Sequence, residues 1–331
     1  MLDTAWRPNL SGSPERAQRG YASRVRTALI LLAAMLAPAC VHAAEPARIA
    51  LTFEDGPKTK PTPLMSAADL NRALLHHLTK AGAPAALFVT LHNGADTPEG
   101  RAFLESWGAA GHRIGNHTVT HPDLDAEAIT LAAYEQEILD CDRVISAVPG
   151  FRPWFRFTFL REGNTPEKRD GMRAFLKAKG WRNAYVTLDT SDWRLDQRLA
   201  TVLAKNPSAD LAPIREAYLS HLRQRAAAYR DLSRRLFDRD IPQVMLLHYN
   251  LLNALFLGDV IEALRRDGFS FVDPEQAYAD PVYRLEPDRP APGQSLLLSV
   301  ARSRGWKLVP EYERLMDDGD FEIAVLEKQG Y

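Results

Sequence analysis

Short apolar runs alternate with amphipathic stretches six or seven times between Ile49 and Val272. No other feature of the chain constrains its fold as much. Strands separated by helices pair in parallel, because each crossover returns the chain to the same end of the sheet. The predicted strands are Ile49–Phe53, Ala85–Thr90, His112–Asn116, Pro153–Leu160, Asn183–Leu188, Gln243–Leu247 and Ser270–Val272. Helices are predicted over Ala67–Lys80, Pro98–Ala110, about Ala126–Ala147, Thr165–Lys179 and about Leu252–Arg266. Ser66 supplies an N-cap, and Gly82-Ala83-Pro84, Gly111, Pro149-Gly150 and Gly180 supply stops. This is an α/β pattern whose parallel sheet closes, or nearly closes, into a barrel. Two segments fall outside it: Leu195–Arg239, long and charged, reads as a helical insertion, and Glu286–Tyr331 as a C-terminal extension.

The 331 residues are 46% hydrophobic and 25% charged, which is ample for a large core. A formal net charge of -1 gives no reason to expect a nucleic-acid partner. The N-terminus reads differently. Arg16, Arg19, Arg24 and Arg26 precede the apolar run Thr27–Ala39, followed by Val41-His42-Ala43-Ala44. Basic region, apolar core and small residues at a cleavage site make a secretory signal, removed after Ala43. The run is shorter than the roughly 20 residues that span a bilayer, so residues 1–43 are the predicted signal peptide, the mature chain has no transmembrane span, and its location is secreted or periplasmic. An uncleaved anchor is the alternative. Lipidation at Cys40 is disfavoured, because Ala37-Pro38-Ala39 lacks the usual leucine. Cleavage leaves Cys141 alone, a core residue with no intrachain disulfide to form. Nothing in the sequence specifies an oligomeric state.

Chemistry concentrates at predicted strand ends. The run Ile49–Phe53 ends in Glu54-Asp55 before Gly56-Pro57, a turn signal. Strand ends are where α/β active sites sit. Successive strand residues point to opposite faces, so Glu54 and Asp55 share a site only if the backbone bends between them. Asp55, His117 and His121 together offer a carboxylate and two imidazoles four residues apart, a set that could hold one metal with positions left open. Two surface histidines at that spacing are common by chance, and His76, His77 and His112 are read as solvated or packed.

In order, these stretches resemble the polysaccharide deacetylases, the NodB-homology domain of carbohydrate esterase family four. Thr52-Phe53-Glu54-Asp55-Gly56-Pro57 is similar to that family's Thr-Phe-Asp-Asp-Gly-Pro, and His117-Thr118-Val119-Thr120-His121 to its His-[Ser/Thr]-x-x-His. Arg156-Phe157-Thr158-Phe159 looks like an altered Arg-x-Pro-Tyr, Asp189-Thr190-Ser191-Asp192-Trp193 like Asp-x-x-Asp-Trp, and Leu246-Leu247-His248 like Leu-x-His.

The resemblance implies a distorted (β/α) barrel over residues 44–285, interrupted by an insertion at about 195–239 and followed by the extension 286–331. It implies a divalent metal, zinc in most of the family, on Asp55, His117 and His121. It implies Glu54 as general base, His248 as general acid, Asp189 as the carboxylate that orients His248, and Arg156 as the residue that holds the base. Trp193 would line the pocket for the acyl methyl, and the backbone N–H of Phe159 would face the oxyanion. The expected partner is an N-acetylated glycan such as peptidoglycan, poly-N-acetylglucosamine or a chitin oligomer. Two departures qualify this. Glu54 stands for aspartate, one methylene longer at nearly the same acidity, and Thr158 and Phe159 stand for proline and tyrosine. The alternatives are an amidohydrolase acting on another C–N bond of a small molecule and a non-catalytic, metal-containing glycan-binding protein. Plainer roles also remain open: Arg156 as a surface ion pair, Asp189 as a strand-end cap and Trp193 as core.

Overall fold

The structure, a computed structural model, describes residues 47–288, 293–307, 312 and 319–331. The predicted signal segment, its cleavage site and Cys40 lie outside the described residues. Seven strands, all paired in parallel, form the sheet: β1 Ala47–Gly56, β2 Ala85–Val89, β3 Arg113–Asn116, β4 Phe151–Phe155, β5 Arg182–Asn183, β6 Gln243–His248 and β7 Phe269–Phe271. Their order is β5-β4-β3-β2-β1-β6, with β7 against the start of β1. Ile49–Glu54 of β1 and all of β2 are buried without alternation, as in parallel strands covered on both faces.

The barrel closes unevenly. The predicted strand Asn183–Leu188 pairs regularly only at Arg182–Asn183, against β4. The same run then crosses the gap, and Leu188 bridges to Met245 of β6. Between these ends its polar groups find other partners. The carbonyl of Ala184 accepts from Arg156 Nε. The carbonyl of Val186 accepts from Leu296 N, and Thr187 Oγ1 meets Tyr283 Oη at 3.0 Å. The barrel is thus closed by a seam rather than by a continuous ladder.

The crossover helices are α1 Ala67–Ala81, α2 Pro98–Ala109, α3 Leu131–Ile145, α4 Pro166–Ala178 and α7 Leu251–Arg266. Helix α1 starts where Ser66 accepts from Asp69 N and stops at Gly82, whose φ of 56° only glycine adopts easily. Helix α3 begins later than its periodicity predicts, at Leu131, because Thr130 caps it by accepting from Ala133 N. The aromatic run predicted as a strand through Leu160 leaves the sheet after Phe155, and a short 3-10 turn spans Thr158–Leu160.

The insertion folds as two helices, α5 Asp192–Lys205 and α6 Ala212–Phe237. A short helix α8, Pro274–Tyr278, follows β7. The C-terminal extension adds α9, Leu296–Ser303, and α10, Asp320–Lys328. It is no loose appendage: Leu296, Leu297, Leu298, Ile323 and Leu326 join the same buried cluster as β1 and β6, and both helices pack on α6. Among the described residues no helix is long and apolar enough to cross a membrane. Cys141 is buried in α3 with Sγ 3.4 Å from the carbonyl of Val89.

Candidate active site

A cavity of about 450 Å³ opens at the carboxyl ends of the strands. Glu54, Asp55, His121, Phe159, Asp189, Trp193 and His248 line it, with Gln197 of α5 and Gly293 of the C-terminal segment completing its wall. The backbone departs from regular geometry where it meets this space. Among the described residues seven non-glycine residues have positive φ, and six of them surround this space: Asp55, Thr118, His121, Phe159, Leu160 and Ser191. Such conformations cost on the order of 1–3 kcal/mol each and persist only where the surroundings impose them.

At Asp55 the reason is plain. The β1–β2 register shifts between Phe53 and Gly56, and Asp55 takes φ 63°. That bend brings two successive carboxylates to one cavity, which a regular strand would send to opposite faces. Gly56 permits it, since a Cβ there would lie 2.6 Å from the ring of Tyr249.

His117 leaves the end of β3 fully buried, and its Nδ1 donates to the carbonyl of Arg156 at 2.8 Å. That bond fixes the proton on Nδ1 and leaves Nε2 as an acceptor. Nε2 lies 3.8 Å from Asp55 Oδ1, and His121 Nε2 lies 3.4 Å from the same oxygen. The loop between the histidines is pinned by Glu137, which accepts from Val119 N, Thr120 N and Thr120 Oγ1. Burial first, and for His121 also the neighbouring His117, pulls both imidazoles down to about 4, so both are neutral near pH 7. For Asp55 burial pushes upward, but His248, His117, His121 and Lys58 outweigh it and hold the carboxyl at about 2.

The chain's own geometry tests whether a cation fits. Three ligand atoms from Asp55, His117 and His121 lie within 4.8 Å of one another. Asp55 Oδ1 and His117 Nε2 are buried with no hydrogen-bond partner in the protein. Orphaned buried acceptors of that kind are costly, and a cation satisfies both at once. One carboxylate and two neutral imidazoles suit zinc and its neighbours.

Glu54, at the end of β1, is buried beside this triad, with Oε2 3.5 Å from His117 Nε2. Its other oxygen, Oε1, accepts from Arg156 Nη1 at 2.5 Å. Arg156 is 1% exposed, so it is no surface ion pair. Its remaining donors reach Ala184 O, Tyr278 Oη at 3.0 Å and Thr52 Oγ1 at 3.3 Å, and its guanidinium lies over the Phe88 ring at 4.2 Å. Burial raises the Glu54 carboxyl, and Arg156 only partly offsets that.

On the opposite wall His248 ends β6. The carboxylate that holds it is Asp192, not Asp189. His248 Nδ1 donates to Asp192 Oδ1 at 2.6 Å, and His248 N to Oδ2 at 3.0 Å. Asn253 and Asn250 donate to the same Oδ2, at 2.6 and 3.1 Å. Burial lowers the His248 imidazole, but Asp192, then Asp55 and Glu54, carry it up to about 9. Asp189 instead accepts from Ser191 N at 3.2 Å through its side chain and stays in the cavity wall. The physical reason for the shift is the start of α5. Ser191 turns left-handed at φ 49°, and Asp192 enters the helix wholly buried beside β6. The second acid of Asp-x-x-Asp-Trp, at a helix start, was the signal available for this role.

Trp193 is 36% exposed and lines the cavity rather than the core. Phe159 is also exposed, edge-on to the His121 ring at 4.5 Å between centroids. Tyr278 and Gln197, neither singled out by motif, join the site as a support for Arg156 and as part of the wall. His112 is packed, with Nδ1 accepting from Ala85 N at 3.2 Å, and His77 Nε2 bonds the carbonyl of Ala254 at 3.1 Å.

Residues 42–171 match the family model described as polysaccharide deacetylase. A chitooligosaccharide deacetylase from Bradyrhizobium sp. (strain ANU 289) is 32% identical over 158 residues, covering 46% of this chain and 64% of that protein. A peptidoglycan-N-acetylglucosamine deacetylase from Bacillus cereus is 28% identical over 151 residues, 45% of this chain and 47% of that protein. The chain thus matches less than two thirds of either relative's own length. Among solved structures, a family 4 carbohydrate esterase from Streptomyces lividans, in complex with acetate, aligns with 71% of this chain and 97% of its own, at 19% identity and a TM-score of 0.47.

Proposed function

The chain belongs to the polysaccharide deacetylase family, and from that premise we propose that it is a metal-dependent hydrolase that removes N-acetyl groups from an acetylated glycan. One observation carries the reading. A buried carboxylate, Glu54, and a charged-range imidazole, His248, flank a three-ligand cation site in one open cavity. Asp55, His117 and His121 would hold the cation, which when bound lowers the pKa of water and polarises the amide carbonyl.

The chain's own residues supply the rest of an amide hydrolysis. Arg156 grips Oε1 of Glu54 and leaves Oε2 for a proton. Glu54 takes that proton from water as the water oxygen bonds to the acetyl carbon. The Phe159 N–H would face the developing oxyanion. His248, charged by Asp192, donates from Nε2 to the leaving nitrogen as the C–N bond breaks. The products are acetate and a free amino sugar. Trp193 and Phe159 offer exposed aromatic faces to sugar and acyl methyl. Export to the cell envelope, with cleavage after Ala43, fits both this substrate and the basic and apolar N-terminal segment.

Acetate release from acetylated chitooligosaccharides and from peptidoglycan, with zinc and other divalent ions added in turn, tests the activity. Binding of these glycans without acetate release would favour a non-catalytic glycan-binding protein. Turnover confined to small amides would favour the amidohydrolase reading. N-terminal sequencing of the exported protein should begin near Ala44, and a start at Met1 in a cytosolic fraction would overturn export.

A further inference from the structure

His221, in the middle of the insertion helix α6, is 3% exposed and belongs to no site residue set described above. Both of its ring nitrogens face an acceptor. Nε2 lies 2.5 Å from the carbonyl of Thr190, and Nδ1 lies 3.1 Å from Oε2 of Glu322, on the C-terminal helix α10. The ring thus bridges the Thr190 carbonyl and the Glu322 carboxylate. Thr190 stands two residues before Asp192, inside the loop that delivers that carboxylate to His248. The loop is gripped elsewhere too: Thr190 Oγ1 donates to Leu246 O at 2.5 Å, and Arg225, one helical turn along from His221, donates to Asp189 O at 3.2 Å. Helix α10 is fastened at the same place, with Arg194 of α5 paired to Asp320 at 3.1 Å.

We propose that His221 and Glu322 are positioning residues: Glu322 fixes the His221 ring, and His221 fixes the Thr190 carbonyl, so that Asp192 stays in register with His248. Neither touches the cavity, and both come from the insertion and C-terminal segments rather than from the barrel. The argument is geometric. Ser191 sits in a left-handed conformation that needs an external hold. A buried carbonyl that loses its donor pulls its loop toward water. The inference rests on His248 acting as proton donor.

Glu322→Ala and His221→Leu test it in the full-length, metal-loaded protein, with melting temperature as the control for folding. A misplacement of about 1 Å at a reacting group costs on the order of a hundredfold in rate, so a partly released loop should lower kcat about tenfold. KM should stay within about twofold, because the cavity wall is untouched. The alkaline limb of the pH–rate profile should move to lower pH. Glu322→Gln, which keeps an oxygen facing His221, should recover most of the lost kcat. A folded Glu322→Ala protein with wild-type kcat and an unmoved limb overturns the proposal, as does a loss expressed only in KM. If Glu322→Ala does not fold, the same readouts on His221→Leu decide, since leucine fills the buried site. His248→Ala separates the two levels. If it keeps turnover, the proton-donor reading has failed. If it loses turnover while Glu322→Ala does not, only the positioning role has.

Discussion

Replacing Asp192 by asparagine should move the alkaline limb of the proposed activity down toward neutrality. His248 is held at about 9, and the largest upward influence is Asp192, bonded to Nδ1 at 2.6 Å. Without that charge, burial opposes only Asp55 and Glu54, and the imidazole falls toward its ordinary value of about 6.5. At pH 8 the donor form then drops from about 0.9 of molecules to about 0.03, a loss of about thirtyfold from protonation alone. At pH 6 the two proteins differ by less than about twofold on this account. A bound cation lowers both values, so the readout is the displacement between the two alkaline limbs rather than either position. The measurement is acetate release between about pH 5.5 and 9.5. Stability follows the same sign. A raised imidazole contributes stability that is complete below its unfolded value of about 6.5 and is lost as pH rises through about 9. The gap in melting temperature between wild type and Asp192→Asn should therefore narrow above pH 9. Coincident alkaline limbs would refute the assignment, and a shift produced by Asp189→Asn instead would return the role to Asp189.

Glu54→Gln, isosteric but unable to take a proton, should lower turnover by about a hundred- to ten-thousandfold with metal content unchanged; wild-type turnover would remove Glu54 as base. Glu54→Asp should also be slower, because Arg156 already reaches the longer side chain at 2.5 Å, and a faster variant would mean the site is poorly fitted to glutamate. Arg156→Met leaves Glu54 buried without its partner, so unfolding should become easier by about 3–5 kcal/mol, visible as a lower midpoint in denaturant; an unchanged midpoint contradicts that role. His117→Ala removes one of three ligands, so elemental analysis should find the metal lost and turnover down by more than about a hundredfold; full metal with full activity would exclude the site.

The alternation of apolar runs and helices was enough to read the barrel, because parallel strands covered on both faces leave continuous apolar runs. Glu54, Asp55, His117, His121 and His248 could be read as neighbours at one end of the sheet because they stand at or just beyond the ends of such runs. What stayed hidden depends on backbone shape. The exchange of Asp189 for Asp192 turns on one left-handed residue, Ser191, which no periodicity reveals. The early exit of the aromatic run after Phe155 has the same origin, in Phe159 and Leu160. Burial of Arg156 was illegible too, since an arginine beside Pro153 and Trp154 reads equally well as surface. The packing of Leu296 and its neighbours into the barrel core lies beyond local pattern, because their partners, Val186 and helix α6, stand far earlier in the chain.

The seam that closes the barrel bears on the order in which a growing chain can fold. Strands β1 to β4 can meet as they emerge, since each finds its neighbour already made. The run Val186–Leu188 cannot, because its partners come later: Val244 and Met245 of β6, Tyr283, and finally Leu296. Buried peptide groups without partners hold a structure open. A nascent chain stopped short of Leu296 would therefore leave the carbonyl of Val186 without its donor and the seam incomplete. Completion of the ring is a late, C-terminal event, and deletions there should surface as failures of synthesis and folding before they surface as failures of chemistry.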